Sequence, residues 1–240
     1  GMQQVLNKIR ITGVAIAGVV ALAAITGHAQ AVPMNFSFAG TFNQDDNVQL
    51  FNFTSDGSST AHIVSYAYGG GTQADGTVHS QGGFDTILTL FDSTGALVAS
   101  NDDGSSQCFI DAAAIAGSGG NADTNTGVVY DTCFSAMLAA GTYTVAVSQF
   151  ANFAAGANLS DGFTEDGNGN FTASNTECTQ GSFCDVTGTP TFTNRTNVWA
   201  YDILNVASAD QVGVAEPATL GLFGLAIAGL GLTARRRKLH

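Results

Sequence analysis

Thr86-Ile87-Leu88-Thr89-Leu90-Phe91, then Asp92-Ser93-Thr94-Gly95, then Ala96-Leu97-Val98-Ala99-Ser100: these consecutive pieces spell a β-hairpin. The outer runs are short and rich in the apolar and β-branched residues that fit a pleated surface, and the four residues between them are turn formers. The same pattern recurs along the chain. Phe36 to Phe42, Val48 to Thr54, His62 to Tyr68, Thr142 to Ser148 and Val198 to Val206 also read as strands, several with a period of two. In one of them Tyr143, Val145 and Val147 alternate with Thr142, Thr144, Ala146 and Ser148, which puts the apolar set on one face.

Seven or eight short strands without a convincing helix predict an all-β fold, an antiparallel β-sandwich or jelly roll. Segments 104–132 and 151–196 are long, polar and glycine-rich. Connections of that length are uncommon unless they bind something or are tied down. Cys108, Cys133, Cys178 and Cys184 lie in or beside these segments and read as two disulfides. Three pairings are possible; closeness in sequence favours Cys108 with Cys133 and Cys178 with Cys184. A zinc site is the rival, but no C-x-x-C occurs, and between the two ends of the chain only His62 and His79 are available.

Charge is distributed very unevenly. Between residues 32 and 234 Arg195 is the only cation, and all nineteen acidic residues lie in that stretch, leaving a net charge of −18. Such a surface repels nucleic acid, whose binding requires Lys and Arg against phosphates, and favours solubility and uptake of cations.

The two ends differ in character from the middle. Lys8 and Arg10 precede an apolar run, Ile11 to Ile25, and an Ala29-Gln30-Ala31 cleavage site, the layout of a secretory signal peptide over residues 1–31. The exported domain is expected over 32–210 and a sorting and anchor segment over 211–240. In that last segment seventeen uncharged residues, Ala218 to Ala234, precede Arg235, Arg236, Arg237 and Lys238. As a helix the run would be about 26 Å long, just enough for a single span, with the cations staying cytoplasmic. Glycines 221, 224, 229 and 231 weaken it as a helix, which suits a marginal or transient anchor.

The tail, Val214-Ala215-Glu216-Pro217 followed by the apolar run and the basic end, resembles the PEP-CTERM sorting signal of Gram-negative bacteria. Glu216 and Pro217 match its Pro-Glu-Pro triplet, whose first proline is replaced by Ala215. The resemblance implies recognition by an exosortase-type membrane enzyme, cleavage near the motif, and delivery to the cell surface or its exopolysaccharide matrix. A second resemblance covers about residues 40–150. Gly83-Phe84-Asp85-Thr86-Ile87-Leu88-Thr89-Leu90-Phe91-Asp92, Gly95, Asn101-Asp102-Asp103-Gly104 and Leu138-Ala139-Ala140-Gly141-Thr142-Tyr143 look like the bacterial pre-peptidase C-terminal domain. That family is a β-sandwich of secreted proteins, and some members bind calcium and polysaccharide or collagen. Gly162-Phe163-Thr164 and Trp199-Ala200 fit a related group of PEP-CTERM proteins.

Two oxygen-rich constellations stand out. Asp85, Asp92, Asn101, Asp102 and Asp103 fall at strand ends and turns, where their oxygens could converge on Ca²⁺, and the second resemblance implies calcium near this hairpin. The alternative is a turn cap at Asp92 and a solvated Asn-Asp-Asp loop. Asp166, Asn168, Asn170 and Glu177 follow part of an EF-hand spacing, but Phe171 stands where glycine is required. An ordinary Gly-Asn loop is the expectation there. Trp199, Tyr201, Tyr66 and Tyr68 could make a sugar-stacking platform, although aromatic residues on strands more often fill a core.

No G-x-S-x-G, H-E-x-x-H or P-loop occurs. The chain therefore reads as a non-enzymatic exported surface or matrix protein linked to exopolysaccharide and biofilm. A calcium-dependent carbohydrate-binding module is the alternative, and a hydrolase with a loop-built site is a third class.

Overall fold

The computed structural model describes residues 32–103, 121–174, 178–185 and 192–212. Cys108, Glu177 and the sequence features expected of the two ends, Glu216, Pro217, Arg235, Arg236 and Arg237 among them, lie outside the described residues. Among the described residues no helix is long and apolar enough to cross a membrane.

Among the described residues eleven strands form, all paired antiparallel. They are β1 (Met34–Thr41), β2 (Gln49–Ser55), β3 (Thr60–Ser65), β4 (Gly71–Thr72), β5 (Val78–His79), β6 (Thr86–Phe91), β7 (Leu97–Asn101), β8 (Cys133–Met137), β9 (Gly141–Gln149), β10 (Val198–Val206) and β11 (Ser208–Gln211). One sheet has the order β1-β10-β3-β8 and the other β11-β2-β9-β6-β7, while β4 and β5 make a separate hairpin. The expected hairpin is present as β6 and β7, with Leu88 opposite Asn101 and Leu90 opposite Ala99. Asp92 closes its turn by accepting from the N–H groups of Thr94 (2.8 Å) and Ala96 (3.0 Å) and from the Thr94 hydroxyl (2.6 Å).

The core lies between the two large sheets, and the alternation read from sequence selects it. Phe51 and Phe53 of β2, Val145 and Val147 of β9, and Leu88 and Leu90 of β6 meet Ile63 of β3 and Trp199, Tyr201 and Ile203 of β10. Tyr143 packs at the margin, stacked on Phe53. Gly40 of β1 is needed for this packing, because a Cβ there would stand 2.5 Å from the Trp199 ring. The four aromatic residues weighed as a platform belong to the interior, the commoner place for aromatic residues on strands: Tyr66, Tyr68, Trp199 and Tyr201 are all at most 2% exposed.

The long segment after β9 contains two short 3₁₀ turns, Leu159–Asp161 and Phe171–Ser174, and no strand among its described residues. It covers the outer face of the five-stranded sheet, where Phe163, Leu159 and Ala154 pack against Phe91 and Ala146. A disulfide joins Cys178 to Cys184, the pairing favoured from sequence, and buried Cys133 is also disulfide-bonded.

Candidate functional site

A strand order of β9-β6-β7 facing β3-β8 brings five chain segments to one end of the sandwich: the start of β6, the ends of β7, β9 and β3, and the start of β8. The two sheets are tied together there by hydroxyls. Ser65 Oγ lies 2.8 Å from Thr86 Oγ1, Thr86 Oγ1 lies 3.2 Å from Thr132 Oγ1, and the Thr132 hydroxyl donates to the Thr86 carbonyl and to the Asp102 carbonyl. Around this knot stand Asp85, Asp102, Asp103, Asp131 and Asp185.

Most of the buried aspartates of the domain are fully engaged. Asp131 accepts four hydrogen bonds, from the backbone N–H groups of Ala67 (2.6 Å), Tyr68 (3.0 Å) and Gly69 (2.7 Å) and from the Ser65 hydroxyl (2.7 Å). Asp202, inside β10, accepts from Tyr66 Oη (3.0 Å), Gln73 Nε2 (3.1 Å) and the Ala74 N–H (2.7 Å), which fastens the β4–β5 hairpin to the outer face of its sheet. Asp185 accepts from Tyr68 Oη at 2.5 Å. Asp123 takes the guanidinium of Arg195 at 3.0 Å, and that same group donates to the carbonyls of Gly83 (2.9 Å) and Tyr68 (3.0 Å) and lies 3.6 Å over the Tyr68 ring. Each is a carboxylate whose burial is offset by donors.

Asp85 is the exception. It is 5% exposed, and its Oδ1 has no hydrogen-bond partner among the described residues. Its carboxyl is pushed well above the usual range, first by burial and then by the negative charges of Asp185, Asp103, Asp102 and Asp131. Asp103 is also raised, by burial and then by Asp102. Gln149 Oε1 is a second buried oxygen without a hydrogen-bond partner among the described residues, and Gln149 pairs with Thr86 next to Asp85 in the sheet. Two orphaned oxygens amid uncompensated negative charge are a donor set suited to a hard cation. No three His, Cys, Asp or Glu side chains among the described residues gather as a ready-made metal cage. Calcium does not require one, because amide and backbone oxygens also ligate it.

Of the sequence-selected residues, Asp85, Asn101, Asp102 and Asp103 therefore share this end, with the Asn101 side chain donating to the Cys133 carbonyl at 2.8 Å. Asp92 sits at the far end of β6, its carboxylate engaged in the turn. Gln149, Asp131 and Asp185 join the site only through the fold. The two histidines among the described residues are hydrogen-bonded within the scaffold, His62 Nδ1 with Ser135 Oγ at 2.7 Å and His79 Nε2 with Gln73 Oε1 at 2.6 Å. The EF-hand-like loop is turned onto itself: Asp166 accepts from the Phe163 N–H (2.9 Å) and Glu165 from Asn168 Nδ2 (2.6 Å).

Compared with protein-family models and with curated proteins, the chain matches none.

Proposed function

We propose that this chain is an exported, non-enzymatic surface or matrix protein, delivered through its tail by an exosortase-type enzyme, whose sandwich takes up calcium at the Asp85 end. The carrying observation is the buried Asp85 oxygen, without a hydrogen-bond partner among the described residues and acted on by the negative charges of four other aspartates. The Cys178–Cys184 disulfide suits an oxidising, extracytoplasmic compartment. The net charge of −18 suits a hydrated, cation-rich matrix, and the two end segments supply the address. Asp85, with Gln149, Asp102 and Asp103, would hold the ion, which supplies positive charge to a cluster that otherwise repels itself.

The calcium test follows from linkage. Because Asp85 is raised in the folded state, the ion-free domain carries the associated stability only when that carboxyl is protonated. This stability is lost as pH rises from the unfolded value of about 3.9 through the folded one. Asp85→Asn is expected to remove that decline, to stabilise the ion-free protein at neutral pH by about 1 kcal/mol or more, and to abolish the rise in melting temperature that calcium gives the parent. Thermal melts of both proteins in EDTA and in CaCl₂ read all three; a calcium response equal in both would refute the assignment.

Delivery is tested separately. Removing residues 214–240 is expected to shift the protein from the cell-associated to the soluble fraction. Unchanged partitioning would count against the sorting role.

A further inference from the structure

A concave surface lies just past the end of β9. Ala151, Glu165, Asn168, Asn170, Phe171 and Ser174 line a cavity of about 490 Å³, within the range of small-molecule sites. Its walls belong to the segment that sequence reading leaves as loop, yet they are held from below by buried side chains. Asn152, fully buried, donates through Nδ2 to the Asp46 carbonyl (2.9 Å) and accepts the Glu165 N–H on Oδ1 (2.9 Å). Asp45, also fully buried, accepts the N–H groups of Phe171 and Thr172, each at 3.1 Å, and the Thr172 hydroxyl. The loop between β1 and β2 thus fixes the backbone that carries the lining groups.

Backbone strain is concentrated at the same place. Among the described residues four non-glycine residues have a positive φ, and two of them, Ala151 (φ 79°) and Asn170 (φ 66°), line this cavity. Such conformations cost on the order of 1 kcal/mol or more and persist where the surroundings impose them, often at binding sites. A frame this constrained presents its side chains with little ordering left to do on binding.

The lining chemistry narrows the ligand. Asn168 and Asn170 are exposed amides, each able to donate and accept; Ser174 adds a hydroxyl, Glu165 a partly exposed acceptor, and Phe171 a half-buried ring. A sugar ring has complementary parts, an apolar C–H face for an aromatic ring and hydroxyls for paired amide groups. No cation lines the cavity, Arg195 is buried at 5% exposure, and residues 32–234 carry a net −18, so anionic ligands are repelled. A bound metal is disfavoured because Glu165 already holds the Asn168 amide and Asp166 the Phe163 N–H.

We propose that the cavity formed by Glu165, Asn168, Asn170, Phe171 and Ser174 binds an uncharged saccharide. No lining group is shared with the Asp85 end, so this proposal and the calcium reading succeed or fail independently.

The test is calorimetric titration of the full chain with four neutral hexasaccharides, cellohexaose, laminarihexaose, maltohexaose and chitohexaose, and with hexagalacturonate as the anionic comparison. At least one neutral probe is expected to bind and hexagalacturonate is not. Asn170→Gly removes the amide while leaving a residue that adopts φ 66° without strain. It is expected to keep the parent melting temperature and weaken binding about tenfold. Phe171→Ala should weaken it at least as much; if that variant does not fold, Asn168→Ala takes its place. No heat from any neutral probe at about 10 mM, equal binding of hexagalacturonate, or unchanged affinity in Asn170→Gly would each overturn the proposal.

Discussion

Asp131→Ala is expected to lower unfolding stability by about 3 kcal/mol or more, measured by urea denaturation. Three consecutive backbone N–H groups, those of Ala67, Tyr68 and Gly69, point at one carboxylate, together with the Ser65 hydroxyl. Removing the acceptor leaves donors in the interior that water does not reach, since Asp131, Ser65 and Tyr68 are all fully buried. Asp131→Asn should cost less, because its carbonyl oxygen can still accept from Ser65, Ala67 and Tyr68, which all meet at Oδ1, and only the Gly69 N–H then faces an amide NH2. A loss below about 1 kcal/mol would mean that the 66–69 turn finds other acceptors. Burial raises the Asp131 carboxyl, and the hydrogen bonds from Ser65, Gly69, Tyr68 and Ala67 only partly offset it. In the parent its contribution is therefore greatest below about pH 3.9 and declines as pH rises through its folded value.

Arg195→Met is expected to cost about 3–5 kcal/mol, the usual consequence of leaving one member of a buried ion pair alone. Asp123 would remain buried without its counter-ion, and the carbonyls of Gly83 and Tyr68 would lose their donor. Against a typical total of about 5–15 kcal/mol, that is a large share of the fold's margin. Arg195→Lys should recover little, since a point charge on a flexible stem cannot reach three acceptors and the Tyr68 ring together. The pH signature has the opposite sign to that of Asp131. Burial alone would raise Asp123, but hydrogen bonds from Thr126, Asn125 and Arg195 outweigh it and hold its carboxyl low. The pair's contribution is present above about pH 3.9 and is lost as pH falls through the folded value. A chemical-denaturation series from acid to neutral pH on the parent and Arg195→Met checks both sign and size.

The strands came through clearly in sequence because alternation is a local property. Thr86–Phe91 and Val198–Val206 have the bounds read from sequence, and Val145 and Val147 face the core as their spacing requires. β8 and β11 were not legible. Cys133–Met137 is short and does not alternate cleanly, and Ser208–Gln211 is a polar edge strand that owes its conformation to pairing with β2. The 151–174 segment gave no periodic signal because side-chain hooks from Asp45 and Asn152, not a hydrogen-bonded ladder, hold its backbone.

Two clues to the buried charges were present. Asp202 interrupts an otherwise uncharged strand, and Arg195 is the lone cation between residues 32 and 234, a stretch that holds all nineteen acids. Each flags a group that must find partners inside. Neither identifies those partners, which come from Tyr66, Gln73 and Ala74 in one case and from Asp123, Gly83 and Tyr68 in the other.

Sequence alone determined the β class, most strand positions, the hairpin turn at 92–95, and the acidity of the region between the two ends. Tertiary structure decided which aspartates are scaffold and which is left over. A carboxylate's state depends on the donors and charges within a few ångströms, and here those come from strand ends far apart along the chain. Asp92 and Asp85 flank the same strand, yet one is satisfied by its own turn, and the other is buried beside Asp185, Asp103, Asp102 and Asp131 with an oxygen to spare.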